Sequence, residues 1–417
     1  MALKRKIIST LLTLILGGAL VGACAPPAPT FEPVSIQFGV PLADQTYYES
    51  LIPLFNEKFP YISVELKPYT DNPSDEVDAF VLPWYITLNP TLNGLKLLPL
   101  NDYLARETDF GAENFYPNAL EAFRQKDPQS GAETQMAIPL GIDPWVMYYN
   151  KDLLEARELP NPRSDWTLSD FTDLARALRD PNERVYGYAP VTFGYIDSLL
   201  FLYAYGGGLF DAKGVPALNT PINAQAVKWY IDLYKEEGVA PTRAQIEADY
   251  GIGQNPVMIA FNEGRIGLFV APFSARGGSS FFRDSWSFAW GMAPMPEGET
   301  RFTLAFYEGA AVSARSLHPS EAWNWIAFVS RQIPPRLVPA RLSLAKSETF
   351  DQQTGKEVAE VARQAMEGAL LLTRESLEDF NIGIDIFISM IDSLVNGDFD
   401  LNRELEKAQR NAELRLP

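Results

Sequence analysis

The stretch from residue 34 to residue 66 restricts the possible folds of this chain more than any other feature. Apolar residues alternate with other residues over 34–40 and again over 62–66, which is typical of half-buried strands. Between these runs, apolar residues recur at helical spacing over 48–59. A strand, a helix and a strand of these lengths form a βαβ unit with a right-handed crossover. The pattern predicts an α/β fold that begins with a mainly parallel sheet, and the run 78–82 is predicted to form its next strand.

Three later segments carry clear helix signals. The segment 166–171 combines a capping box with a hydrophobic staple, so Trp166 is predicted to be structural. A second helix is predicted over 226–234, and Gly238 follows it at a position where a left-handed cap favours glycine. A third helix is predicted over 319–330, with proline in its first turn.

Composition limits the size and the partners of the protein. The chain has 417 residues, of which 47% are hydrophobic, so it can form two domains with separate cores. Its formal net charge is −18, from 53 acidic and 35 basic residues, and the basic residues form no stripe in the body of the chain. Such a surface repels phosphate backbones, which disfavours nucleic-acid binding. With one histidine and no clustered ligand spacing, the sequence predicts no metal site and no cofactor.

The N-terminus has the features of an export signal. Three basic residues precede an apolar run over 7–21, which is shorter than the roughly 20 residues of a membrane span. The run ends in small residues before Cys24, the only cysteine, and this sequence resembles the lipobox of bacterial lipoproteins. We therefore expect 1–23 to be a signal peptide, Cys24 to be lipidated, and 24–33 to be an extended tether rich in proline and alanine. The expected location is outside the cytoplasm, at a membrane surface.

The stretch 139–153 raises a functional question. Its apolar and aromatic residues predict a strand, but a strand that only packs in a core does not need Asp143. Further segments belong to the same pattern: the early strand–helix–strand, 95–100, 138–153, 166–167, 205–207, 261–265, 295–296 and 309–315. In their order and spacing, these segments resemble the family 1 extracellular solute-binding lipoproteins, the maltose-binding-like group that serves ABC importers.

This resemblance implies a periplasmic-binding-protein type II fold with two α/β lobes, three crossings between them and a ligand cleft. The implied N-terminal lobe comprises 34–142 and 306–345, and the implied C-terminal lobe comprises 143–305 and 346–417. The strand that contains Asp143 corresponds to a hinge crossing in the family.

The resemblance also implies candidate ligand contacts. Asp143 corresponds to a carboxylate that accepts hydrogen bonds from sugar hydroxyls, although an Asp-Pro turn at the start of a strand explains it equally well from local sequence. Trp84, in the loop after a predicted strand, corresponds to a stacking position, and switch-point loops bind ligands in open α/β sheets. Trp145 follows on the same face of the strand, where packing of the lobe is the competing explanation.

Six further candidates complete the predicted set. Phe273 lies where many relatives carry a stacking tryptophan, and a solvated turn is the alternative for Glu308. Trp286 and Trp290 flank one segment, and periodicity does not decide which of them faces the cleft. The complete set of predicted ligand-binding residues is Asp44, Trp84, Asp143, Trp145, Tyr195, Asp197, Phe273, Tyr307 and Glu308.

The expected function is capture without catalysis. Aromatic faces stack against the C–H face of a sugar, and acids and amides satisfy its hydroxyl groups. We expect a monomer that binds a carbohydrate between its lobes and delivers it to an ABC permease in the membrane, with closure of the hinge as the recognised signal.

Two alternatives remain open at the level of sequence. An exported glycoside hydrolase would use a pair of acids, for which Asp143, Asp197 and Glu308 are candidates. A binding protein for a non-sugar solute, such as a polyol, a polyamine or an amino acid, is consistent with the acidic charge balance. A serine hydrolase would have to use His318, and no G-x-S-x-G motif accompanies it.

Overall fold

A computed structural model describes residues 32–416 except 88, 90–91, 127–130, 192–193, 253–254, 279–284 and 373. The predicted signal peptide and Cys24 lie outside the described residues, as does the tether up to residue 31. None of the helices in the described part of the chain combines the length and the apolar character that crossing a bilayer would require.

The chain alternates strands and helices along its length. The strands are Val34–Pro41 (β1), Ile62–Tyr69 (β2), Ala79–Leu82 (β3), Arg124–Lys126 (β4), Glu133–Gln135 (β5), Ile138–Asn150 (β6), Tyr186–Tyr188 (β7), Ile266–Pro272 (β8), Trp290–Ala293 (β9), Thr303–Val312 (β10), Val338–Pro339 (β11) and Ala369–Leu370 (β12). The α-helices are Gln45–Lys58 (α1), Trp84–Thr87 (α2), Asn101–Leu104 (α3), Lys151–Ala156 (α4), Leu168–Leu178 (α5), Asp197–Ala204 (α6), Pro221–Lys235 (α7), Arg243–Tyr250 (α8), Pro256–Asn262 (α9), Pro319–Val329 (α10), Leu342–Ala345 (α11), Glu348–Thr354 (α12), Lys356–Glu367 (α13), Arg374–Asn396 (α14) and Leu401–Arg415 (α15).

Local sequence signals are confirmed where they predict short-range structure. β1 and β2 pair in parallel on either side of α1 in the chain, as the alternating runs predict. Thr167 and Asp170 form the predicted capping box of α5, and Trp166 is buried against Phe171. Gly238 adopts a φ of 57° after α7, the left-handed conformation that glycine accepts without strain.

The main sheet is mixed rather than mainly parallel. Its strands lie in the order β2-β1-β3-β10-β6-β8-β7, with β9 and β11 paired to β6 and β12 paired to β10. The parallel pairs of this order lie at its two ends, whereas β3, β10, β6 and β8 are joined by antiparallel pairs. The prediction of a mainly parallel sheet was wrong at the centre, because the two long strands β6 and β10 run antiparallel to each other and to their outer neighbours.

Strand β6 belongs to both halves of the molecule. It pairs with β10 through 138–144 and with β8 through 145–149. All thirteen of its residues are buried, and its two faces belong to different hydrophobic clusters: Val146 and Tyr148 contribute to one, Trp145 and Met147 to the other. We call the half around β1–β3 the first lobe and the half around β7–β9 the second lobe, and β6 connects them.

Candidate functional site

A cavity of about 580 Å³ lies where the long strands pass between the lobes. The first lobe contributes segments that follow the ends of β1, β2 and β3, and the second lobe contributes Pro272 and Ser274 at the end of β8. Ligands of open α/β folds bind at the carboxyl ends of strands. The remaining lining residues are Asp143 on β6, Phe306 and Glu308 on β10, and Arg336 and Leu337 in the segment before β11.

Trp84 forms an aromatic platform in this cavity. It begins the short helix α2, directly after β3, rather than lying in the loop that the sequence predicts. Its ring stacks on that of Phe306, with centroids 5.2 Å apart and an interplanar angle of 21°. Tyr85 presents its edge to the same ring at 5.8 Å, and its hydroxyl donates to the carbonyl of Asp71. The platform therefore joins one ring from the first lobe to one ring on a connecting strand.

Asp143 lies beside the platform on β6, opposite Phe306 on β10. Its Oδ1 accepts a hydrogen bond from the Ser274 amide at 2.8 Å, and its Oδ2 accepts one from the Ser274 hydroxyl at 2.6 Å. Burial raises the pKa of Asp143 to about 6, although these two bonds favour the charged form. The carboxylate keeps further acceptor capacity toward the cavity, because its two oxygens can accept about four hydrogen bonds.

Asp44, a predicted ligand contact, is not among the residues that line the cavity. It ends the turn Leu42–Asp44 and is 5% exposed. The Arg336 guanidinium donates to both of its oxygens, from Nε to Oδ1 at 3.0 Å and from Nη2 to Oδ2 at 2.7 Å. Arg336 lines the cavity and Asp44 holds it in place, so the structure gives Asp44 an indirect role in the site.

Glu308 reaches the cavity because of the register of β10. Phe306 and Glu308 are the two partly exposed residues in this part of the strand, and Tyr307 between them is buried. A register shift of the pairing with β6 occurs between Glu308 and Gly309. Burial, and then the charge of Asp44, raise the pKa of Glu308 to about 8.

Side chains alternate between the two faces of a strand, so Tyr307 does not face the cavity that its neighbour Glu308 lines. Tyr307 points to the opposite face of β10, where its ring meets Phe123 edge-on and its hydroxyl donates to the carbonyl of Leu372. Tyr307 is 2% exposed and belongs to the hydrophobic cluster that also contains Phe123. The structure therefore does not support direct ligand contact by Tyr307.

Two predicted aromatic contacts support the site from behind. Trp145 shares a face of β6 with Asp143, as the alternation predicts, but it is fully buried in the cluster of the second lobe. Its ring contacts Phe306 edge-on at 6.2 Å, so it lies behind the platform. Phe273 is also fully buried, and the guanidinium of Arg276 covers its ring at 3.8 Å. Lobe packing, the alternative for Trp145, fits these positions.

The predicted pair Tyr195 and Asp197 lies elsewhere in the second lobe. Asp197 begins α6, is 1% exposed, and accepts hydrogen bonds at Oδ2 from the hydroxyls of Tyr188 and Tyr230. Tyr195 lines a separate cavity of about 730 Å³, and its hydroxyl accepts a hydrogen bond from Asn396. Neither residue lines the cavity between the lobes: α6 packs its first turn, with Asp197, into the lobe interior, and ligand contact by Tyr195 stays a prediction.

Trp286 and Trp290, for which the sequence left the orientation open, pack against the same ring. Trp286 and Trp290 both meet the ring of Tyr148 edge-on, at 4.9 and 5.8 Å. They pack against the cluster that contains Tyr148, on the side of β6 away from Trp145. Neither is among the residues that line the cavity between the lobes.

Sequence reasoning missed most of the lining residues, among them Phe306, Ser274 and Arg336. Phe306 could have been found from Glu308, because residues two apart on a strand share a face. Ser274 and Arg336 gave no comparable signal, because their roles depend on contacts with Asp143 and Asp44, which lie 131 and 292 residues away. Within the described residues, no group of three or more metal-ligating side chains occurs.

Comparisons with known proteins agree with this architecture. Residues 40–332 match the family model described as bacterial extracellular solute-binding protein. A putative binding protein of Brucella abortus (strain 2308) is 24% identical over 294 residues, which cover 65% of this chain and 68% of the relative.

Solved structures show the same two-lobed fold. The ABC substrate-binding protein Lmo0181 from Listeria monocytogenes, in complex with cycloalternan, has a TM-score of 0.70 at 20% identity and covers 92% of this chain and 99% of that one. An ABC transporter solute-binding protein from Agrobacterium radiobacter K84, in complex with ribitol, has a TM-score of 0.62 at 21% identity and covers 93% of this chain and all of that one. The extent of the family match and the shared fold lead to one conclusion: the chain belongs to the bacterial extracellular solute-binding protein family.

Proposed function

We propose that this chain is the substrate-binding component of an ABC importer and that it captures a carbohydrate or a polyol in the cavity between its lobes. One observation carries the proposal: the stacked rings of Trp84 and Phe306 lie in the same cavity as the carboxyl groups of Asp143 and Glu308. The relatives with cycloalternan and ribitol support the same ligand classes.

The chemistry of the cavity suits such a ligand. Aromatic rings offer flat apolar faces to the C–H bonds of a sugar or a polyol, and buried carboxylates accept hydrogen bonds from its hydroxyl groups. The volume of about 580 Å³ lies within the range of about 300–1,000 Å³ that is usual for small-molecule sites. A mostly apolar wall with a few placed polar groups is the arrangement that gives both affinity and specificity.

Ligand capture is proposed to shift a hinge equilibrium. The cavity takes residues from both lobes and from the strands β6 and β10 that connect them, so a bound ligand can bridge the lobes. A ligand with higher affinity for the closed form shifts the population toward closure. The proposed lobes are 34–142 with 306–345 and 143–305 with 346–417, and a membrane permease is the proposed receiver of the closed form.

The proposal also covers where the protein is located and whether it acts on its ligand chemically. Cys24 is proposed to carry the lipid that anchors the protein outside the cytoplasm, after removal of residues 1–23. The acids of the cavity are proposed to bind hydroxyl groups and not to cleave glycosidic bonds. The match to a family of solute-binding proteins supports this part of the proposal.

Thermal unfolding of the full chain, purified in mild detergent, tests the proposal. Monosaccharides, oligosaccharides, polyols, polyamines and amino acids are added singly, and each ligand is recovered and analysed. A sugar or polyol at 100 times its dissociation constant should stabilise the fold by about 2.7 kcal/mol and be recovered intact. Stabilisation only by amino acids or unsubstituted polyamines would contradict the proposed ligand class, and recovery of a cleaved sugar would identify a hydrolase.

A further inference from the structure

Among the described residues, two carboxyl groups and one basic group line the cavity between the lobes. Arg336 is the only basic residue among the described residues that line it, and its guanidinium donates to both oxygens of Asp44. Asp44 therefore pairs with the guanidinium that the described residues contribute to the cavity wall. The carboxyl groups of Asp143 and Glu308 line the same cavity and form no ion pair with a described residue, although the charge of Arg336 acts on both and that of Arg276 acts on Asp143.

Glu308 differs from Asp143 in its hydrogen bonds. Both oxygens of Asp143 accept hydrogen bonds from Ser274. None of the described residues donates a hydrogen bond to Glu308 or forms an ion pair with it. The residue is partly exposed and lines the cavity. A carboxylate with this placement is available to a donor on the ligand.

The surroundings of Glu308 disfavour its negative charge. Burial raises its pKa, and the charge of Asp44 adds to this effect more than Arg336 offsets it. Burial also raises the pKa of the neighbouring tyrosines, so their hydroxyls stay neutral and add no positive charge. The titratable and charged groups that interact with Glu308 are Asp44, Tyr47, Tyr48, Tyr69, Tyr85, Asp143 and Arg336.

We infer that the natural ligand carries a protonated amine that pairs with Glu308, and that the substrate class is an amino sugar or an amino polyol. An ammonium group supplies three donors and a positive charge that can pair with Glu308, to which no described residue donates a hydrogen bond. A metal ion is a poorer candidate, because the described residues contain no group of three or more metal-ligating side chains. The inference rests on the proposed function, since the rings of Trp84 and Phe306 are assigned to the carbon skeleton of the same ligand.

Matched ligand pairs test the inference by calorimetry on the full chain in mild detergent. The pairs differ in one amine: glucamine and sorbitol, glucosamine and glucose, galactosamine and galactose. The amine of at least one pair should bind about 10- to 100-fold more tightly than its neutral partner, the range expected for a hydrogen bond to a charged group. Glu308→Gln should abolish this preference, and the exposed control Glu57→Gln should retain it.

A second measurement uses the unmodified chain, so it tests the inference even if Glu308→Gln fails to fold. At pH 7 most Glu308 side chains carry a proton, and pairing with an ammonium group requires its loss. Glucamine, whose amine resembles that of lysine with a pKa of about 10, should release roughly one proton on binding at pH 7. Its affinity should rise between pH 6 and pH 8 by up to about tenfold per pH unit, whereas sorbitol should show neither effect.

The outcomes separate the inference from the proposed function. Equal affinity for the members of every pair, or a preference that persists in Glu308→Gln, would overturn the amine inference and leave the proposed function in place. An amine affinity that stays constant from pH 8 down to pH 4, where even an ordinary glutamate takes up its proton, would also reject Glu308 as its partner. If no sugar, polyol or amine derivative binds at all, both the inference and the proposed function fail.

Discussion

The cavity around Asp143 and the interior of the second lobe around Asp197 contain the same chemistry in two different settings. Both aspartates are nearly inaccessible, at 5% and 1% exposure, and both accept hydrogen bonds from hydroxyl groups. Burial raises the pKa of each to about 6. Yet Asp143 forms part of the wall of a cavity between the lobes, whereas Asp197 is enclosed by the tyrosines of a lobe core.

The comparison shows that a buried, perturbed acid does not by itself mark a binding site. Perturbed pKa values cluster at functional sites, but structural hydrogen-bond networks also produce them. The two aspartates differ in the space beside them and in the side chains that occupy this space. Asp143 has Ser274 on one side and the cavity on the other, whereas Tyr188 and Tyr230 fill the space around Asp197.

The largest expected effect concerns stability. Asp197→Ala should lower the free energy of unfolding by about 3 kcal/mol, because it leaves two tyrosine hydroxyls unpaired in the lobe core. Asp143→Ala should cost about 1 kcal/mol, because water in the cavity can replace the carboxylate beside Ser274. Urea unfolding measures both, with the exposed Asp398→Ala as a control expected within about 0.5 kcal/mol of the unmodified chain. Equal losses for the two buried aspartates would remove the distinction.

The pH dependence of stability sharpens the same contrast. The pKa of Asp197 in the folded protein is raised to about 6, so its stabilising contribution is present at pH 4 and is lost as the pH rises through 6. Asp197→Asn does not ionise, and between pH 4 and pH 7 it should gain on the order of 2–3 kcal/mol of unfolding free energy relative to the unmodified chain. Urea unfolding across this range gives the difference. If the free energies of unfolding of the two proteins differ by the same amount at every pH, burial does not raise the pKa of Asp197 as described.

Removal of the platform should affect affinity more than stability. Trp84→Ala should weaken binding of the stabilising ligand by about 10- to 100-fold, because the apolar face of the cavity is lost. The matched variant Trp84→Phe keeps an aromatic ring and should lose less than about tenfold. Calorimetric titration provides the comparison, and an unchanged affinity for Trp84→Ala would place the ligand away from the platform.

The smallest expected effect lies in the second region. Tyr195→Phe removes only the hydroxyl that accepts a hydrogen bond from Asn396, outside the cavity between the lobes. Ligand affinity should therefore stay within about twofold of the unmodified chain, and stability within about 0.5 kcal/mol. A tenfold loss of affinity in the same titration would return Tyr195 to the binding site and weaken the contrast between the two regions.

The sequence predicted much of the fold and part of the candidate site. The βαβ start, the capping box at Thr167 and the helix after His318 follow from patterns within a few residues, and the structure contains each of them. Trp84 and Asp143 were proposed from a family resemblance, and both line the cavity. The same reasoning assigned Tyr307 and Asp197 to ligand contact, and the structure places both inside lobe cores.

Local features follow from the amino-acid sequence alone: the types of the elements, their caps, and the presence of aromatic and acidic residues near the ends of strands. Which acids line the cavity follows from the folded chain, because it depends on the register between β6 and β10 and on partners such as Arg336, 292 residues from Asp44. Helix and strand patterns arise from interactions between close neighbours in the chain. The accessibility and the charge balance of a cavity arise from side chains brought together across the whole fold.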